Sequence, residues 1–131
     1  MKLAALVLAM AGLAAAQSLD FEAYRTKVEP IFLKKREGHS RCVSCHAGNH
    51  SSLVLQPLAE GKTKYTVEQS RKNFDSVKNL VVPGKPEKSK LVLHPLAQEG
   101  GGDEFHSGGR QFLTKDDPDW KIMADWVRGA K

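Results

Sequence analysis

Cys42-Val43-Ser44-Cys45-His46 is the stretch from which the rest of this 131-residue chain is read. The order C-x-x-C-H is the attachment signature of a c-type haem. On a helical turn, Cys42 and Cys45 stand three apart and share a face. Each thiol can then meet one vinyl group of a single porphyrin, and His46, next in line, can reach the iron. The chain has two cysteines, and both fall inside this pentapeptide.

Three other chemistries use the same residue types. Cys42, Cys45, His46 and His50 supply zinc-type donors, but His46 abuts Cys45, with no intervening segment to close a tetrahedron. A redox-active dithiol of thioredoxin type expects a βαβ context that this sequence lacks. A structural disulfide leaves His46 without a purpose. One covalent haem c uses all three residues.

The length suits one domain. Lys2, the apolar run Leu3 to Leu13 and the Ala14-Ala15-Ala16 site read as a secretory signal peptide over residues 1–16, with the haem domain over 17–131. The apolar run is short for a membrane span, and no later segment approaches spanning length. A periplasmic or secreted protein with no membrane span after cleavage is expected. The formal charge is +5, and loss of Lys2 leaves 19 basic against 15 acidic residues, or +4. That mild excess is spread along the chain, at Lys34-Lys35-Arg36, Arg71-Lys72, Lys85, Lys88 and Lys90. It suits a solvated face or steering toward an acidic redox partner. No basic stripe interleaves with aromatics, so nucleic acid is not an expected partner.

Helical patterning runs through the whole domain. Ser18 to Arg36 reads as a first helix capped by Ser18, with Phe21, Tyr24, Val28, Ile31 and Phe32 on its buried face. Pro30 should kink or restart it, and Gly38 follows its end. Leu53, Leu55 and Leu58 form a short apolar patch. Thr66-Val67-Glu68-Gln69 is a capping box opening a helix to Leu80, with a stripe of Val67, Phe74, Val77 and Leu80. Pro86 to Leu96 reads as a short helix stopped by Pro95. Asp116/Asp117-Pro118 opens a last helix ending at Gly129, with Trp120, Ile122, Met123, Trp126 and Val127 burying one side. That helix should cross the first and reach a haem edge. Between the last two helices lies a glycine-rich stretch holding Phe105 and His106. The expected fold class is all-α, about four helices around one haem.

Beyond the pentapeptide, several segments resemble monohaem c-type cytochromes, and more narrowly the planctomycete-type cytochrome c domains of secreted bacterial proteins. They are Val28-Glu29-Pro30-Ile31-Phe32 (V-x-P-I-F), the turn Pro83 to Leu91 (P-G-x-P-x-x-S-x-L), His106-Ser107-Gly108-Gly109 (H-x-G-G) and the tryptophan helix Asp119 to Gly129. The likeness covers nearly all of the chain after the leader. It implies an all-α fold around one haem and a role in extracytoplasmic electron transfer, not an enzyme activity. In many related domains a Met-Pro pair before the last helix supplies the second axial ligand. This chain has none there.

The sixth ligand is therefore sought among the histidines. Met1 and Met10 leave with the leader, and Met123 sits at a core-spaced position of the last helix. His39 and His50 lie too close in sequence to His46 to cross the porphyrin, and both are read as exposed. His106 lies where the Met-bearing loop falls in related proteins, between glycines that permit close approach; His94, before Pro95, is the alternative. Bis-imidazole ligation implies a lower potential than His/Met ligation, because a thioether favours ferrous iron. Two further readings stay open. One is a haem enzyme or sensor with a displaceable sixth ligand, its glycine-rich loop acting as a lid. The other is a structural haem subunit of a larger electron-transfer assembly.

Overall fold

In the computed structural model, described for residues 18–48, 51–104, 106 and 108–131, the chain is all-α. The expected leader, His50 and Phe105 lie outside the described residues. The first helical run comprises α1 (Phe21–Ala23), a π-helical segment (Tyr24–Val28) and α2 (Glu29–Leu33). Then follow α3 (Cys42–His46), α4 (Val67–Lys78), α5 (Lys90–Leu93) and α6 (Pro118–Arg128). Two isolated parallel bridges, Ala47 to Leu55 and Leu96 to Phe112, tie loops together. Among the described residues, no helix is long and apolar enough to cross a membrane.

The first run begins later and ends earlier than its apolar pattern suggests. Asp20, not Ser18, is the cap: its Oδ1 accepts the Ala23 N–H at 2.6 Å. A carboxylate in that place also complements the positive end of the helix. The run then widens into a π turn, where the Glu29 N–H donates to the Tyr24 carbonyl. It restarts at Glu29, so Pro30, which has no N–H, falls in a first turn where none is needed. The helix stops at Leu33 rather than Arg36, with Lys34 extended. Lys34 and Arg36 are drawn instead to the start of α6. Asp119 accepts from both at 2.7 Å, and Asp117 from Arg36. Two of the basic residues read as solvated are therefore engaged within the fold.

The wide turn has a packing consequence. It brings Tyr24 and Glu29, five apart, onto one side, where the phenol donates to Oε2 at 2.9 Å. Glu29 is 4% exposed and also accepts from Ser70 Oγ and Asn73 Nδ2 of α4. Burying a carboxylate is costly unless hydrogen bonds replace its water; here three donors do. Around this polar knot stand Tyr24, Phe74 and Trp126, with ring centres 5.3 to 6.2 Å apart. Trp126 Nε1 donates to the Asp20 carbonyl at 2.9 Å, so α6 crosses the first run as its pattern suggests.

The capping box of α4 forms, with Gln69 N to Thr66 Oγ1 at 3.2 Å and Thr66 N to Gln69 Oε1 at 3.0 Å. Val67 departs from its expected stripe and is half exposed, at the first position of the helix. Ile122 is likewise on the outer side of α6. The turn before α5 is held by buried Ser89, whose Oγ accepts the Val82 N–H at 2.9 Å and donates to Lys85 O at 2.8 Å. Gly84, at φ +81°, takes the left-handed conformation open to glycine and donates its N–H to Val127 O of α6. Pro95 follows directly on the short α5 and its C-cap residue His94.

Candidate cofactor site

A cavity of about 370 Å³ opens beside α3, within the range of small-molecule sites. Cys42, Cys45, His46, His94 and His106 all line it. Its apolar wall is Ile31 and Phe32 of α2, Leu80, Leu91 of α5, Phe112 and Met123 of α6. Seven separate stretches of the chain thus converge on one hollow. Met123 is buried, and it is the residue through which α6 reaches the cavity. Trp120 and Trp126 do not line it. Trp120 instead donates to Val92 O at 2.9 Å and braces α5, so on α6 it is Met123, and neither tryptophan, that borders the cavity.

The pentapeptide forms one helical turn, as its spacing suggests. Cys42 and Cys45 are unbridged. Burial is the main force pushing the Cys42 thiol up, to about 11, so it stays protonated at neutral pH. The His46 ring is set by its Nδ1, which lies 2.7 Å from Ser51 Oγ and 3.1 Å from the Leu53 carbonyl. A carbonyl only accepts, so Nδ1 carries the proton and Nε2 keeps its lone pair. Burial lowers the His46 pKa. The Leu53 carbonyl opposes that shift, and the nearby His106 and His94 add to it.

His106 Nδ1 meets the Gly109 carbonyl, which by the same argument leaves its Nε2 as the free donor atom. The two rings stand 6.2 Å apart, centre to centre, and are inclined by 33°. Two imidazoles on opposite sides of one metal, with bonds of about 2.0–2.1 Å and about 1.1 Å from ring nitrogen to centre, stand roughly 6.3 Å apart. The separation of the His46 and His106 ring centres matches that spacing. His94 lines the same cavity with its Nδ1 against Asp103 Oδ2, and Arg110 donates to the carbonyls of His94, Leu96 and Asp103. A histidine backed by a carboxylate is also a pattern found at metals.

His39 is partly exposed and lies away from this cavity. His50, needed for the zinc reading, lies outside the described residues. Among the described residues, no three His, Cys, Asp or Glu side chains converge as a metal cage. The glycine-rich stretch is tighter than a free loop. A Cβ at Gly102 would lie 1.8 Å from Leu96 O, and one at Gly100 would lie 2.3 Å from Leu113 O. Those glycines let backbone approach backbone rather than cofactor.

Reading the sequence alone misses several parts of this site. Arg41 and Lys90 line the cavity, Asp103 and Arg110 hold His94, and Ser51 orients His46. Arg41 and Ser51 lie near the pentapeptide, and that nearness is the one signal that marks them.

Comparison with family models, curated proteins and solved structures finds no match.

Proposed function

We propose that this protein is an extracytoplasmic electron carrier with one covalently bound c-type haem, similar to the planctomycete-type cytochrome c domains. The observation that carries the reading is the pair of imidazoles His46 and His106, with ring centres 6.2 Å apart, lining one cavity with the only two cysteines of the chain. Cys42 and Cys45 would hold the porphyrin through thioethers, and His46 and His106 would bind its iron. The bound haem supplies a one-electron iron couple.

The chain's own part is to bind, orient and exclude water. Ser51 and the Leu53 carbonyl fix the His46 tautomer, and the Gly109 carbonyl fixes that of His106. Ile31, Phe32, Leu80, Leu91, Phe112 and Met123 keep the wall apolar. With Lys34 and Arg36 engaged by Asp117 and Asp119, the surface offered to an acidic redox partner or a larger electron-transfer complex shifts to Lys85, Lys88 and Lys90 around the turn before α5. The leader would deliver the chain to the periplasm or outside the cell.

The test is one preparation, made where haem attachment machinery is present. An optical spectrum with low-spin c-type bands in both redox states, and a mass increased by one haem, are expected. Acid-acetone extraction that strips colour from the polypeptide refutes the reading. CO binding to the unmutated, reduced protein favours the sensor or enzyme reading instead.

A further inference from the structure

Tyrosine and tryptophan are the aromatic side chains that give up single electrons, and this chain has two of each. Three of the four donate to amide carbonyls. Tyr65 donates to Gln56 O at 2.8 Å, and Trp120 and Trp126 donate to Val92 O and Asp20 O, both at 2.9 Å. Tyr24 alone donates to a carboxylate, Glu29 Oε2, at 2.9 Å. A carbonyl accepts a hydrogen bond but does not keep the proton, whereas a carboxylate at that reach is a base. An electron can therefore leave Tyr24 while its proton moves along one hydrogen bond. Glu29 is buried, and gaining that proton removes a charge that is costly to bury, which favours the step. The position suits it as well. The Tyr24 ring lies 6.4 Å, centre to centre, from that of Phe32, and Phe32 lines the cavity.

We propose that Tyr24, with Glu29 as its proton acceptor, is a reserve one-electron donor to the cofactor cavity, used when the reduced protein meets hydrogen peroxide. This rests on the haem reading above and goes beyond electron carriage. The ferrous-ferric couple supplies one electron, and a peroxide takes two. In the step, the peroxide O–O bond breaks, two protons come from solvent, and both oxygens leave as water. One electron comes from ferrous iron, which becomes ferric, and the other from Tyr24 across Phe32. The Tyr24 O–H bond breaks, its proton bonds to Glu29 Oε2, and a neutral phenoxyl radical remains. The next electron delivered to the iron passes back to Tyr24, and Glu29 returns the proton.

The test mixes the ferrous, haem-loaded protein with stoichiometric hydrogen peroxide, freezes it rapidly and records its electron paramagnetic resonance. A tyrosyl signal that narrows when the protein carries ring-deuterated tyrosine is expected. Tyr24→Phe should remove that signal and increase peroxide bleaching of the haem bands, while Tyr65→Phe should change neither. Glu29→Gln keeps the shape, offers an amide oxygen in place of the base, and should also remove the signal with Tyr24 still present. A parent without a tyrosyl signal overturns the proposal, as does a signal that survives Tyr24→Phe or Glu29→Gln, or one lost in Tyr65→Phe. If Glu29→Gln does not accumulate, proton ENDOR of the parent radical carries that part. An exchangeable proton hydrogen-bonded to the radical oxygen supports Glu29 as acceptor, and its absence overturns it. A parent chain without attached haem overturns the haem reading instead, and its mass and optical spectrum show this before peroxide is added.

Discussion

His46 and His106, sixty residues apart in sequence, stand with their rings 6.2 Å apart across one cavity, each with Nδ1 turned to a backbone carbonyl. Both ends of the arrangement are therefore set before any ligand arrives, which reduces the ordering that binding requires.

Replacement of His106 by alanine should leave the haem attached and open its sixth position. The measured result is a high-spin shift in the optical spectrum, with new CO binding to the reduced form. A low-spin, CO-resistant His106→Ala protein would move the role to His94, and the His94→Ala/His106→Ala double variant would then open the site.

The potential should lie below that of His/Met cytochromes, because two imidazoles favour ferric iron and no thioether opposes them. A redox titration measures it. A high, His/Met-like value would count against both His106 and His94 and bring buried Met123, which lines the cavity, forward as ligand.

Glu29→Ala should be among the most destabilising substitutions in the chain. It strands the Tyr24 hydroxyl, Ser70 Oγ and Asn73 Nδ2 without their shared acceptor. Each buried donor left unpaired costs about 1–3 kcal/mol, so a loss of roughly 3 kcal/mol or more is predicted. Tyr24→Phe removes one donor and should cost only about 1 kcal/mol. Urea unfolding of both variants measures the difference, and equal losses would contradict the shared-acceptor account.

Before haem attachment, stability should fall as the solution is acidified below about pH 6.5. Burial lowers the His46 pKa from its ordinary value of 6.5 in the folded chain. Below that pH the unfolded chain binds a proton that the folded chain resists, so stability decreases as pH drops. Unfolding free energies at pH 7.5 and 5.5 test this. His46→Gln should flatten the slope, and a slope unchanged by the substitution would assign the effect elsewhere.

Local rules carried much of the fold. The Thr66–Gln69 box, the Asp117-Pro118 start of α6 and the pentapeptide's helical turn depend on residues within one turn of each other, and all three form. The misses share a cause as well. Ser18 against Asp20 and Arg36 against Leu33 are helix ends, where apolar periodicity is silent and single side-chain bonds decide. Glu29 reads as an outward residue in any regular helix, and only a π turn, supported by donors from α4, brings it inside.

The sequence by itself determined the all-helical class, the single turn bearing Cys42, Cys45 and His46, and the short set of histidines from which an opposing ligand can be drawn. Spacing and capping act over a few residues and need no partner. Only the tertiary structure decided that the His106 ring stands 6.2 Å from that of His46, that Asp103 and Arg110 hold His94, and that Arg41 and Lys90 line the same cavity. Those relationships join residues from 9 to 60 positions apart, beyond the reach of spacing and capping within one turn.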